Sequence, residues 1–319
     1  LSLLSPHHTK NKENIMKPLV MRLTMLIPLL LITFTSSTST FAGEMIPANL
    51  SFSVIVTAES GGAQEAMVVS SGSWFTQRTL VHNAILIKHP KGDLLWDSGI
   101  GTEVEEQMQV FAFWEKQLFA IENVKPAISQ LNANNYPIST IKAIIPSHMH
   151  WDHVSAIEDF PATPVWIQQQ EHDAAHQGKP PAFVLSQFDS PDIKRQFIKL
   201  LDQPYQGFDK SLDIYGDGSL VLVDLAGHSQ GHLGLFVNTP DKGRYFFIGD
   251  ATWAIKGIQD NRGRPKIVQW ATGVDNNVDQ AEKVIDQIHS LSKRDPDLVI
   301  VPAHDELVTA KLPNYPSFL

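Results

Sequence analysis

Within the seven residues Ser147-His148-Met149-His150-Trp151-Asp152-His153, this chain gathers four side chains able to bind a metal ion. Alternation along an extended segment puts His148 and His150 on the same side. Asp152 and His153 then point elsewhere as the chain turns, so the stretch can serve two adjacent ions. A chance match to His-x-His-x-Asp-His in a chain of this composition has odds on the order of one in a thousand. Cysteine is absent from all 319 residues, which removes disulfides, thiolate nucleophiles, Cys-ligated zinc and iron–sulfur clusters together. Any metal must rest on His, Asp or Glu, and imidazole with carboxylate at this density is the donor set of a cysteine-free zinc site.

The elements that must position these residues alternate strands with helices, the pattern of an α/β layered domain. Strands are predicted at Ser51–Thr57, Ala66–Ser70, Ala84–His89, Leu94–Asp97, Ile141–Pro146, Val165–Gln168, Leu220–Leu225, Leu233–Thr239, Tyr245–Ile248 and Leu298–Val301. One helix is predicted from the Ser190-Pro191-Asp192 start, with Ile193, Phe197, Leu200 and Leu201 on one face. A second carries Val278, Ala281, Ile285 and Ile288, and a third starts near Pro126. The polar stretch over residues 171–215 reads as a cap inserted between core strands. Three further donors stand just past strand-like runs: His228, Asp250 and His304. Loops beyond the carboxyl ends of strands are where open α/β sheets bind ligands. Asp97 belongs to the same edge, where a carboxylate suits the task of orienting a ligand imidazole. His82, His89, His172, His176, His232 and His289 fit no ligand spacing and read as surface or internally satisfied histidines, His232 being the one close enough to a donor to support it from behind.

Of the charged residues, 25 are Lys or Arg and 34 are Asp or Glu. The first 42 residues hold four cations (Lys10, Lys12, Lys17, Arg22) and one anion, Glu13, which leaves residues 43–319 with a net charge of −12 out of the chain's −9. Such a surface argues against a nucleic-acid groove. Lys17 and Arg22 precede an apolar run from Leu23 to Phe34, followed by Ser and Thr and then Thr40-Phe41-Ala42. That reads as an upstream stretch plus signal peptide over residues 1–42, cleaved to leave a periplasmic or secreted domain over 43–319 with no stable membrane insertion.

Taken together, His-x-His-x-Asp-His, Gly227-His228-Ser229, Gly249-Asp250 and Ala303-His304-Asp305 resemble the metallo-β-lactamase superfamily. The resemblance implies a four-layer αββα sandwich with two metal ions in a cleft at the strand ends. It further implies that His148, His150 and His228 hold one ion, that Asp152, His153 and His304 hold the other, and that Asp250 bridges them. Two Zn2+ ions, or other divalent transition metals, facing Asp152 and Asp250 keep enough positive charge to retain a bridging hydroxide as nucleophile and to polarise a substrate oxygen. True β-lactamases of this superfamily have a different residue where Asp250 stands, so the likeness points to lactonases, phosphotriesterases and related hydrolases. The lactonases place a Tyr three residues past the bridging Asp to assist the substrate carbonyl. Here that residue is Trp253, whose indole N–H can donate one hydrogen bond to a substrate but cannot serve as a phenolic acid.

The expected protein is therefore an exported dinuclear zinc-dependent hydrolase acting on a small ester, lactone or phosphotriester, with Asp152 and Asp250 central to catalysis and Trp253 to substrate binding. Two other readings stay open: a mononuclear iron dioxygenase of the same fold, and an exported metal-binding protein whose ions only stabilise it.

Overall fold

The computed structural model describes residues 46–319; the upstream stretch and signal peptide expected over residues 1–42 lie outside the described residues. The strands in chain order are β1 (Ser51–Ser60), β2 (Ala63–Gln64), β3 (Gln77–Arg78), β4 (Val81–Lys88), β5 (Asp93–Trp96), β6 (Ile121–Glu122), β7 (Ile141–Ile145), β8 (Val165–Gln168), β9 (Arg195–Ile198), β10 (Ser211–Asp213), β11 (Leu220–Asp224), β12 (Leu233–Asn238), β13 (Arg244–Phe247) and β14 (Leu298–Val301). A first sheet runs β6-β1-β4-β5-β7-β8-β9 and a second β10-β11-β12-β13-β14, while β2 and β3 form a small hairpin. The first is antiparallel from β6 to β5 and parallel from β5 to β9. The second is antiparallel until the closing β13–β14 pair, which is parallel.

Period-2 alternation of apolar residues on both faces explains the layering. In β11, Leu220 and Leu222 enter the core between the sheets with Phe52, Ile85, Leu94 and Ile145 of the first sheet. Val221 and Val223 face the opposite way, onto Val284, Ile285, Ile288 and Leu291 of the helix Val278–Arg294. That helix matches the predicted apolar stripe, starts at Asn277, whose side chain accepts the Gln280 N–H (3.1 Å), and ends on Lys293 and Arg294, which suit its negative C-terminal pole. On the far side, Ile55, Leu86, Leu95 and Ile144 of the first sheet meet Ala127 and Leu131 of the helix Ala127–Ala133. The result is helix, sheet, sheet, helix: an α/β protein of the four-layer αββα kind.

Two predicted elements differ. The helix expected after Ser190 is instead β9, which pairs parallel with β8 from Val165↔Arg195 to Gln168↔Ile198. Its supposed apolar face is split: Leu200 is buried in the core between the sheets, whereas Phe197 is 48% and Leu201 52% exposed, so the helical spacing there was coincidental and strand pairing prevailed. The strand expected at Ala66–Ser70 is a helical turn, Glu65–Val68, closed by the Ser73 N–H on Glu65 Oε2 (3.1 Å). An apolar run that short carries no period that separates the two conformations. The stretch from 171 to 215 contains part of the helix Gln169–Gln177 and then feeds β9 into the first sheet and β10 into the second.

Parallel pairing sends the carboxyl ends of β5 and β7, and of β13 and β14, to one edge of their sheets, and β4, antiparallel to β5, begins at that edge.

Candidate metal centre

Just past β7 the backbone is fixed before any donor appears. Asp97, held at φ 53°, accepts the Ser147 N–H on Oδ1 (2.6 Å) and the Ser147 hydroxyl on Oδ2 (3.1 Å). The Met149 N–H, between the two histidines, donates to Glu171 Oε1 (2.8 Å), while Glu171 Oε2 accepts the Ser229 hydroxyl (2.8 Å) and the Gly231 N–H (2.7 Å). One buried carboxylate thus ties the His148–His150 loop to the loop that carries His228. Burial pushes the Glu171 carboxyl up, against the pull of those three donors. Past β13, Gly249 adopts φ +50°, and a Cβ there would lie 2.4 Å from His232 Nε2, so only glycine lets the chain turn Asp250 inward. Past β14, Asp305 receives Arg78 (3.1 Å) and the Ile255 N–H (2.6 Å), which anchors the backbone beside His304.

The donors form two adjoining groups. His148, His150 and His228 bring ring nitrogens within 4.8 Å of one another. His228 Nδ1 lies 2.9 Å from Asp275 Oδ1, and a carboxylate can only accept, so the His228 proton sits on Nδ1 and Nε2 is bare. Because the Ser147 hydroxyl donates to Asp97, it accepts from His148 Nδ1 (3.0 Å), which bares His148 Nε2 as well. The two bare nitrogens face each other at 3.1 Å, an arrangement that a cation between them relieves. Burial and the neighbouring imidazoles hold His148 and His150 neutral, well below the ordinary histidine pKa.

Asp250 links this group to the next. Its Oδ2 lies 3.5 Å from His228 Nε2, and its Oδ1 lies 3.0 Å from His304 Nε2 and 3.4 Å from His153 Nε2. Asp152 Oδ2 stands 3.4 Å from His304 Nε2 and 3.9 Å from His153 Nε2. The outer nitrogens are again committed, His153 Nδ1 to Asp97 Oδ2 (3.0 Å) and His304 Nδ1 to the Val81 carbonyl (2.8 Å). Burial disfavours charge on all four groups, yet the carboxylates raise His153 and His304 and those imidazoles lower Asp152 and Asp250. Protons and a divalent ion compete for the same inward lone pairs.

The donor set fits a pair of divalent transition ions. It is all nitrogen and carboxylate oxygen, and His153 Nε2 and Asp250 Oδ1 are buried with no hydrogen bond at an acceptable angle, as atoms awaiting a ligand would be. All seven residues named from the sequence as metal donors are brought together: His148, His150, Asp152, His153, His228, Asp250 and His304. Trp253 is placed differently from its expected part, with its indole N–H on Asp250 Oδ2 (2.7 Å) and its ring under the Arg264 guanidinium (4.6 Å).

Spacing missed several residues, and it left His232 only as a support for a nearby donor, which is the part it plays. His82 is buried against Asp152 and His304. Its signal was topological: β4 runs antiparallel to β5, so its first residues share the donor edge. His232 accepts the Asp250 N–H (3.2 Å) and donates to the Leu225 carbonyl (3.1 Å); burial takes its pKa down to about 3. Asp275, which orients His228, also takes Arg264 (2.8 Å), and despite burial that guanidinium keeps its carboxyl low. Nothing in local sequence marked Glu171, Asp275 or Arg264. The remaining His89, His172, His176 and His289 make their contacts elsewhere.

This fold and donor arrangement define a class, and the sequence agrees: the pattern of the metallo-beta-lactamase superfamily matches residues 78–304, and the chain belongs to that family. Among named proteins, it is 28% identical over 179 residues to the N-acyl homoserine lactonase AttM of Azorhizobium caulinodans, covering 53% of this chain and 64% of AttM. The chain thus matches less than two thirds of that relative's length. It is 27% identical over 249 residues to a Mycobacterium bovis protein named "Probable metallo-hydrolase", covering 71% of this chain and 75% of that protein. Among solved structures, an N-acyl homoserine lactone hydrolase with N-hexanoyl-L-homoserine at its catalytic metal centre superposes with a TM-score of 0.65 at 19% identity, covering 86% of this chain and all of the other. The dizinc quorum-quenching lactonase AidC superposes at 0.56 with 14% identity, covering 86% of this chain and 91% of AidC. At those identities the structures speak for the fold alone.

Proposed function

We propose that this protein is a dinuclear metal-dependent hydrolase of lactones, with N-acyl homoserine lactones the first substrates to examine and esters or phosphotriesters next. The observation that carries the reading is Asp250, whose two oxygens face the two histidine groups. His148, His150 and His228 would hold one Zn2+ and Asp152, His153 and His304 the other. Bound there, two such ions lower the pKa of coordinated water toward neutrality and withdraw charge from a substrate carbonyl. The chain's own contribution is to aim the donors. Asp97, Asp275 and Ser147 fix which ring nitrogen is bare, Trp253 and His232 hold Asp250 in place, and Glu171 keeps the two histidine loops in register. Phe183, with its ring 4.8 Å from that of His150, supplies an apolar wall suited to an acyl chain. Since the indole N–H is committed to Asp250, the proton for a departing alkoxide comes from a group other than Trp253. The N-terminal pattern supports an exported mature chain beginning near Gly43, which N-terminal sequencing of the secreted protein checks.

Elemental analysis with a substrate panel tests the main reading. Purified protein should carry about two transition ions per chain, and His148→Ala or Asp250→Ala should lose at least one, while His172→Ala and His289→Ala should not. Hydrolysis of N-hexanoyl-homoserine lactone should vanish with chelator and return with zinc. Metal content below about one ion per chain in metal-replete protein would sink the dinuclear centre; full metal with turnover of aryl esters or paraoxon only would move the substrate class.

A further inference from the structure

His82 stands outside the seven-residue donor set, at the start of β4, yet its ring belongs to the same cluster. It is 4% exposed. Its Nδ1 lies 3.1 Å from Asp152 Oδ2, and its ring meets that of His304 edge to face at 5.1 Å between centroids. The orientation matters more than the distance, because Nδ1 is buried and makes no hydrogen bond of acceptable angle, to Asp152 or to anything else. The other nitrogen, Nε2, is 2.9 Å from the Ser60 hydroxyl. The layout parallels that of His153, His228 and His304, whose outward nitrogens meet oxygens that can only accept; here the Ser60 hydroxyl is able to accept from Nε2 and so leave Nδ1 bare toward the cluster. A histidine kept only for packing would have both nitrogens satisfied, as His232 does. Local backbone supports the placement: the Thr57 hydroxyl donates to the His82 carbonyl (2.8 Å), and β1 shifts register between Val56 and Ala58, opposite His82.

We propose that His82 is a further metal ligand, giving its Nδ1 together with Asp152 Oδ2 and His304 Nε2 to the second ion. One donor atom from each of the three residues lies within 4.8 Å of the others, and Asp152 Oδ2 stands 3.1 Å from His82 Nδ1 and 3.4 Å from His304 Nε2. The inference rests on the dinuclear reading and adds to it a prediction of ion class. With His153 and Asp250 the second ion gains a five-donor seat, which suits divalent ions that accept five or six donors, such as Co2+, Mn2+ or Fe2+, as readily as zinc.

The test is cobalt titration of the metal-free full chain, wild type against His82→Ala and His82→Asn, followed by calorimetry and by the visible absorption of bound Co2+. Wild type should take up two ions. In both variants the second ion should bind about tenfold or more weakly, with the first unchanged, and its absorption should intensify as the coordination number falls. Should the alanine variant fail to fold by circular dichroism, the asparagine variant carries the comparison. Unchanged affinity and spectrum in the variants would overturn the proposal. So would recovery of both by asparagine with loss in alanine, since the asparagine amide can donate to Asp152, and that pattern would make His82 a hydrogen-bonding support for the carboxylate. Wild type binding fewer than two ions would instead bring down the dinuclear reading and this one with it, an outcome visible before any variant is made.

Discussion

Asp250 is held from every side by groups that leave its reach unchanged: an indole N–H on one oxygen, His232 on its backbone N–H, and Arg264 on its carbonyl. Trp253 is therefore better understood through the carboxylate it restrains than through any substrate. Trp253→Phe keeps an aromatic ring under Arg264 and deletes the donor, so kcat for the best substrate found should fall about tenfold, with KM moving far less and a matching loss of metal affinity. Steady-state kinetics beside a chelator titration checks this, and a change confined to KM would return Trp253 to the substrate pocket. At this scale the seven donors were legible because six positions of sequence fix four of them and strand ends announce the rest. Residues that act through those donors carry no such mark, since a single Glu171 or Asp275 looks like any other acidic residue until the fold shows what it touches.

Loops set the donor geometry, and one side chain joins two of them. Glu171 accepts from Met149, Ser229 and Gly231, and all three of those residues are buried. Glu171→Ala strands them, which should lower stability by about 2–4 kcal/mol, a drop of several degrees in the melting temperature of metal-free protein. Because the His148 and His228 loops would then move independently, the affinity for the first ion should drop as well. Retention of both melting temperature and affinity would mean that the loops hold their own shape. Long, two-faced strands such as β11 and β12 could be read from their continuous apolar runs, as could the helix Val278–Arg294 from its stripe. Short edge segments could not. In β9 the exposed Phe197 and Leu201 imitate a helical face, and only pairing with β8 decides the conformation.

Across the whole molecule, the sheets are joined by their shared apolar core and, at the end of β4, by a buried pair. His89 Nδ1 accepts the Lys91 N–H (3.1 Å), so its proton lies on Nε2, toward Asp217 Oδ2 (3.2 Å) in the turn between β10 and β11. Burial opposes charge on Asp217, but the Ser219 hydroxyl and N–H, then His89 and Lys91, outweigh it and hold its carboxyl below the usual range. A lowered carboxylate stabilises above its unfolded pKa near 4 and loses that effect as pH falls through the folded value. Asp217→Asn should therefore cost about 1.5–3 kcal/mol at pH 7, with the gap to wild type closing below about pH 4 in thermal unfolding of metal-free protein. A gap constant with pH would assign the pair no electrostatic part. The acidic net charge read from composition belongs to this scale, and so does the way the donors are gathered. His148 to His153 follow the first sheet, whereas His228, Asp250 and His304 follow strands of the second. An unfolded chain presents only the local histidine motif, because His304 is 156 residues from His148 and closing so long a loop is entropically unfavourable. A complete coordination sphere can exist only after the two sheets have docked, so uptake of the full metal complement marks the end of folding, and a misfolded chain is told from a native one by what it fails to retain against a chelator.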